Sequence, residues 1–171
     1  MSKVRIFGEE NFPPQPSLYL PCRLDRETLE TLVHAMGGHG DVCFLMERHL
    51  RPEPRMMRFM ESAGHVLEFD FRNCDSRDMR EKILEQLQQG HDVLYVPGIP
   101  NRDMACVSDV PMPFMMHLAA LHIAPVPVYV GFYRKGYVRV VTEEASYDTA
   151  VVDVLPKLEP GPLAGDRALE A

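Results

Sequence analysis

The stretch LYLPCRLDRETL (18–29) joins a short apolar run to the start of a helix. Residues 17–20 predict a strand, and Asp25 predicts the N-cap of a helix over 26–36. Glycines at 37, 38 and 40 end that helix, since glycine commonly follows a helix terminus. This strand and helix form the first unit of a pattern that continues along the chain.

Strands and helices alternate in the rest of the sequence, which predicts an α/β fold. The expected architecture is a mixed, largely parallel sheet flanked by helices. Ser76 is the predicted N-cap of the clearest helix, and Gly90 is its stop signal. The predicted strands are 4–7, 42–46, 65–71, 92–96, 126–132 and 137–141, and the further helices are 55–63, 76–89 and 114–123.

The length of 171 residues fits one domain with a substantial core. We expect that domain over residues 1–155. Proline, glycine and charged residues dominate 156–171, so this segment is predicted to be a disordered tail.

The composition is that of a globular protein, with 46% hydrophobic and 25% charged residues. A net charge of −7 argues against general nucleic-acid binding, which uses a basic face. The N-terminal sequence lacks the pattern of a signal peptide, and the longest apolar stretch, 123–132, is about half of a spanning helix. The expected location is cytoplasmic, with at most peripheral membrane contact.

The spacing of cysteine and histidine predicts no metal site, and we expect no cofactor. The four cysteines are widely separated and contain no Cys-x-x-Cys pair, which is typical of reduced, packed thiols. His117 and His122 are five residues apart on a predicted helix, about 140° around its axis, and do not share a face.

Four stretches, in this order, carry a resemblance to one family. RIFGEENFPP (5–14) is similar to a Gly-x-Glu-Asn-Leu-Pro lead-in, and GHVLEFDFRN (64–73) to a Gly-x-Ile-Phe-Ile-Asp-Arg motif. VLYVPGIPNR (93–102) is similar to Phe-Pro-Glu-Gly-Thr-Arg-Ser, and IAPVPVYV (123–130) to Val-Pro-Val-Val-Pro-Val-Ala-Ile. Over roughly four-fifths of its length the chain thus resembles the glycerophospholipid acyltransferases of the lysophosphatidic-acid acyltransferase type. The resemblance implies a glycerol-phosphate acyltransferase-like fold.

The chain departs from the family pattern where the chemistry takes place. After its first strand the family carries Asn-His, then four residues, then Asp. In this chain the histidine position of that frame is Arg23 and the aspartate position is Thr28. The family histidine is the general base and the aspartate orients it; a guanidinium stays protonated and cannot replace the base. Gly98 also stands where the third motif has glutamate. The resemblance therefore implies a degenerate member that lacks acyl-transfer activity.

Two histidines are candidates for a displaced base. His65 and Asp70 form a literal His-x4-Asp, but on a predicted strand, where positions five apart point to opposite faces. His117 is the second candidate. The alternatives of a catalytic and a merely solvated histidine stay open for both.

Three arginines are candidate ligand-binding residues. In the family the arginine of the second motif helps to bind the glycerol-phosphate headgroup, and Arg72 matches it. Arg102 follows the third motif, and Arg23 places a cation in the altered first motif. Forked guanidinium donors suit phosphate, although ordinary surface arginines are the alternative. The partners that this implies are acyl-CoA, acyl carrier protein or a lysophospholipid.

One predicted helix combines basic and large apolar residues, which is typical of a helix that lies at a lipid interface. The alternative is an ordinary helix that packs its methionine and phenylalanine side chains inward. The residues concerned are Arg55, Met56, Met57, Arg58, Phe59 and Met60.

Three functions follow from these residues. The leading hypothesis is a catalytically inactive acyltransferase relative that binds an acyl- or phosphate-bearing ligand, or a partner in lipid metabolism. The second is an active acyltransferase that uses a displaced base. The third is a non-enzymatic α/β interaction module without a ligand.

Overall fold

The structure is a computed structural model that describes residues 3–21, 26–37, 42–48, 54–70, 75–96, 123–134, 138–140 and 146–158. Within these residues the chain forms three α-helices, a 3-10 turn at Glu9–Asn11 and eight strands. The helices are α1 (Arg26–Ala35), α2 (Pro54–Ala63) and α3 (Ser76–Gln88). The strands are β1 (Lys3–Phe7), β2 (Leu18–Pro21), β3 (Val42–Glu47), β4 (Gly64–Phe69), β5 (Asp92–Val96), β6 (Pro125–Arg134), β7 (Val138–Arg139) and β8 (Thr149–Val154).

The described strands form one mixed sheet. Its order is β1-β8-β6-β2-β5-β3-β4, and the short β7 pairs with β6. The five strands from β6 to β4 run parallel, whereas β8 is antiparallel to β6 and β1 is parallel to β8. The predicted mixed, largely parallel sheet flanked by helices is confirmed.

Helices cover both faces of the sheet. Leu32 of α1 and Met60 of α2 pack against one face together with Phe44 of β3. Met79 of α3 packs against the other face with the adjacent residue Leu45. Because neighbouring residues of a strand point to opposite faces, strands covered on both sides read as continuous apolar runs. This accounts for the wholly buried LYLP of β2.

The start of α3 differs from the prediction. The N-cap is Asp75, whose side chain accepts a hydrogen bond from the backbone N–H of Arg77 at 2.9 Å, and Ser76 is the first helical residue. Both residue types cap helices well, so the sequence alone did not separate them.

Strand β4 follows α2 without a connecting residue, and its first residue, Gly64, lies close to the backbone of β3. A side-chain carbon at Gly64 would collide with the backbone carbonyl oxygen of Val42 in the neighbouring β3. The glycine of the second motif is therefore needed for close packing of two backbones.

Strand β8 was not predicted from the sequence. Its residues alternate between half-buried and buried, and it pairs with β6 along its whole length. After β8 ends, the chain still contacts the sheet, since the N–H of Leu158 donates to the carbonyl oxygen of Pro125 in β6 at 2.8 Å. Residues 159–171 of the predicted tail lie outside the described residues.

Candidate functional site

The candidate site is the edge of the sheet at which β2 and its parallel neighbours end. β2 lies between β5 and β6, and all three run in the same direction. After β2 the chain leads through α1 to β3, and after β5 it leads to β6 on the other side of β2. The connections of two adjacent strands thus run in opposite directions, and open α/β sheets bind ligands outside such a point.

The strands that precede the three candidate arginines end together at this carboxyl edge. Leu18 is level with Val93, and continuing that offset brings Pro21 level with Val96. Glu47 at the end of β3 is level with Phe69 at the end of β4. The structure therefore aligns the ends of β2, β4 and β5.

The arginines themselves follow these strand ends in the sequence. Arg23 comes two residues after β2, Arg72 three after β4, and Arg102 six after β5. All three lie outside the described residues, as do Gly98 and the candidate base His117.

Of the two residues of the altered frame, Arg23 and Thr28, the structure describes Thr28. It belongs to the first turn of α1, which begins five residues after β2 ends. Only 1% of its surface is exposed, and it shares the buried face of the helix with Leu29 and Leu32. A neutral hydroxyl is thus packed into the interior near the carboxyl edge.

His65 lies at the opposite end of its strand. It is the second residue of β4 and is exposed, whereas Asp70 directly follows the strand at the carboxyl edge. Five residues of extended chain separate the two by about 17 Å. The structure does not bring His65 and Asp70 together.

Three buried groups near or within the sheet stay protonated at neutral pH. Burial, with the nearby carboxylate of Glu47, raises the pKa of Tyr95 above its ordinary value. Burial and the charge of Asp92 do the same for the pKa of Tyr19. Burial alone raises the pKa of the Cys43 thiol to about 12. None of these three side chains supplies a base or nucleophile near neutral pH.

Tyr95 and Glu47 are residues of the carboxyl edge that sequence reasoning missed. Tyr95 is fully buried one residue before β5 ends, and Glu47 is the last residue of the adjacent β3. The available signal was a tyrosine inside an apolar strand and a carboxylate at a strand end. Only the pairing of β3 with β5 shows that these two positions are neighbours.

The apolar residues of α2 point largely into the protein. Met56 and Met60 are buried in the core, and Met57 and Phe59 are partly buried against it. The exposed positions include both arginines of this segment together with Glu61. The helix therefore keeps little apolar surface for insertion between lipids.

Of the helices that the structure describes, none combines the length and the apolar composition that crossing a membrane requires.

No protein-family model matches the sequence, and no curated protein matches it. Among solved structures, the chain is similar to the crystal structure of the 1-acyl-sn-glycerophosphate (LPA) acyltransferase PlsC from Thermotoga maritima. The match has a TM-score of 0.54 and 16% sequence identity, and it covers 98% of this chain and 66% of that one. The chain thus has a PlsC acyltransferase-like α/β fold, and it spans just under two thirds of that enzyme's length.

Proposed function

We propose that this chain is a ligand-binding relative of the glycerophospholipid acyltransferases that lacks their acyl-transfer activity. The observation that carries the proposal is the buried, neutral Thr28 in the first turn of α1. By the sequence resemblance, we assign it to the position of the family's orienting aspartate, and the acyltransferase-like fold supports this assignment.

The loss of activity follows from what acyl transfer needs. A hydroxyl that attacks a thioester must give its proton to a general base, and an imidazole does this well near neutral pH. Arg23 stays protonated, and Thr28 carries no charge to stabilise an imidazolium. His65 lies at the far end of its strand from this edge. Removing a base of this kind commonly costs several orders of magnitude in rate.

The proposed ligand carries a phosphate, an acyl chain or both. Three arginines follow strands that end at one edge of the sheet, and guanidinium groups bind phosphate through paired hydrogen bonds. The similar enzyme is named for 1-acyl-sn-glycerophosphate, which combines both features. We therefore propose Arg23, Arg72 and Arg102 as binding residues for a lysophospholipid, acyl-CoA or the prosthetic group of acyl carrier protein.

Thermal unfolding in the presence of lysophosphatidic acid, glycerol 3-phosphate or acyl-CoA tests this proposal. A ligand at a hundred times its Kd stabilises the native state by about 2.7 kcal/mol, which raises Tm by roughly 5–11 °C in a domain of this size. Arg72→Ala should reduce the shift. Arg5→Ala is the matched control, because that arginine is exposed in β1, the outermost strand of the sheet, and should leave the shift unchanged. The absence of a shift with all three ligands would overturn the binding proposal.

The exposed charges of α2, and not its apolar side chains, support contact with an anionic membrane surface. Arg55 and Arg58 are exposed on α2, while Met56 and Met60 are buried. We propose weak, salt-sensitive contact through the two arginines. Sedimentation with phosphatidylserine vesicles should fall when both are changed to glutamate, and binding that is unaffected by this change would reject the contact.

A further inference from the structure

Two histidine rings meet at the amino edge of the sheet, away from the candidate site. His65 is near the start of β4, and His91 directly precedes β5. The strand between them is β3, whose Cys43 is level with His65 and with Val93. The two imidazoles reach across this strand, so that their ring centres are 5.0 Å apart with planes inclined by 34°.

The end of α3 fixes the position of His91. Gly90 has a φ of 89°, and its N–H donates to the carbonyl oxygen of Leu87 at 3.1 Å. The N–H of His91 donates to the carbonyl oxygen of Gln86 at 3.0 Å, which completes a Schellman motif. The helix end, which depends on Gly90, therefore sets the direction in which the chain enters β5. It also fixes the backbone position from which the His91 side chain extends.

A side-chain hydrogen bond then fixes the ring of His91. Its Nδ1 lies 2.8 Å from Oε1 of Gln86. An amide oxygen only accepts, so the neutral ring carries its proton on Nδ1 and presents a lone pair on Nε2. Metal-bound histidines typically use their second nitrogen in this way, as a donor to an oxygen that orients the ring.

The spacing of the rings also matches metal coordination. A Zn–N bond of about 2.0–2.1 Å and a ring radius of about 1.2 Å place each ring centre about 3.2 Å from the ion, so two rings at a tetrahedral angle have centres about 5.2 Å apart. The observed separation is 5.0 Å.

We propose that His65 and His91 bind a divalent transition-metal ion, with zinc as the expected ion, and that Gln86 is the residue that positions His91. Imidazole suits zinc, copper and nickel, and His65 is exposed, so water completes the coordination and the ion exchanges with solvent. Cys43 remains a thiol because burial raises its pKa to about 12, and the thiolate is the form that binds metal. Among the described residues no group of three or more such side chains is placed to hold an ion, so this is a two-histidine site.

Isothermal titration of the purified chain with zinc chloride tests the proposal. We expect one ion per chain, and His65→Ala or His91→Ala should each weaken binding at least tenfold. His34→Ala is the matched control, because His34 is an exposed histidine of α1 and should leave the affinity unchanged.

Gln86 provides a test that a purely structural role would not pass. Gln86→Leu should weaken zinc binding by about tenfold, whereas Gln86→Glu should tighten it, because a carboxylate orients and polarises the imidazole more strongly. In the unchanged chain, zinc should shift the imidazole nitrogen resonances of His65 and His91 in NMR spectra. This second readout does not depend on the folding of a variant.

Two results would overturn the zinc site. One is zinc binding that persists at full affinity in a chain carrying both His65→Ala and His91→Ala, which would mean that the ion binds elsewhere. The other is the absence of one-to-one binding with no change in either imidazole, which would make the pair a simple ring contact. Neither result bears on ligand binding at the carboxyl edge.

Discussion

Replacing Thr28 by aspartate tests its proposed position in the altered catalytic frame. Thr28 is 1% exposed, so the new carboxylate would be buried. Removing a carboxylate from water costs several kcal/mol, and the first turn of a helix returns at most about 2 kcal/mol to a carboxylate. We expect a loss of about 3 kcal/mol in the free energy of unfolding at pH 7, or roughly a hundredfold in the folded-to-unfolded ratio.

The loss should depend on pH in a defined direction. Burial raises the folded-state pKa of the introduced aspartate above its unfolded value of about 3.9, so the neutral carboxyl is preferred in the fold. The variant is therefore least destabilised below about pH 4, and the deficit grows as pH rises through the raised folded pKa. Thr28→Asn is the control, because asparagine has nearly the same shape as aspartate and carries no charge.

Urea unfolding of both variants between pH 4 and pH 8 measures the difference. The aspartate variant should match the asparagine variant at the acidic end and fall below it at neutral pH. Equal stability across the range would contradict burial of an uncompensated carboxylate, since it would mean that a cationic group or water reaches position 28. The site would then retain the electrostatics of a catalytic pair.

Four further predictions test the fold and its buried groups. Met60→Ala should cost about 2–5 kcal/mol in urea unfolding, because Met60 is fully buried. Gly64→Ala should cost about 3 kcal/mol or prevent expression of folded protein, because the methyl group meets the β3 backbone. Cys43 should resist thiol reagents at pH 8 until the chain unfolds, since burial raises its pKa to about 12. Burial also raises the pKa of Tyr95, so its contribution to stability is complete below about pH 10 and is lost as pH rises further; Tyr95→Phe should reduce this alkaline loss.

Much of the sheet was predictable because its strands are covered on both faces. The strands β2, β3 and β5 read as short apolar runs between turn signals, and their predicted and observed bounds agree within one residue. Their parallel direction followed from the helices between them. The resemblance of the four stretches to acyltransferase motifs also predicted the fold that the solved structure supports.

The missed elements depend on partners distant in the sequence. β8 carries Thr149, Val151 and Val152 in a β-favouring order, but its alternation indicates a strand only once β6 and β1 lie beside it. The ring contact between His65 and His91 likewise requires the order β4-β3-β5, which no local pattern encodes. For the candidate site, the arginines and the altered frame at Thr28 were identified from the sequence. That the strands before the arginines end at one edge of the sheet follows only from the strand register.

We propose that this acyltransferase-like chain binds its ligand without transferring an acyl group. Release of free CoA from acyl-CoA in the presence of lysophosphatidic acid, measured on the purified chain, tests it most directly. We expect a rate indistinguishable from the protein-free reaction, under conditions in which the same ligands raise Tm. Turnover at about one per second or faster, the ordinary range of enzymes, would contradict it.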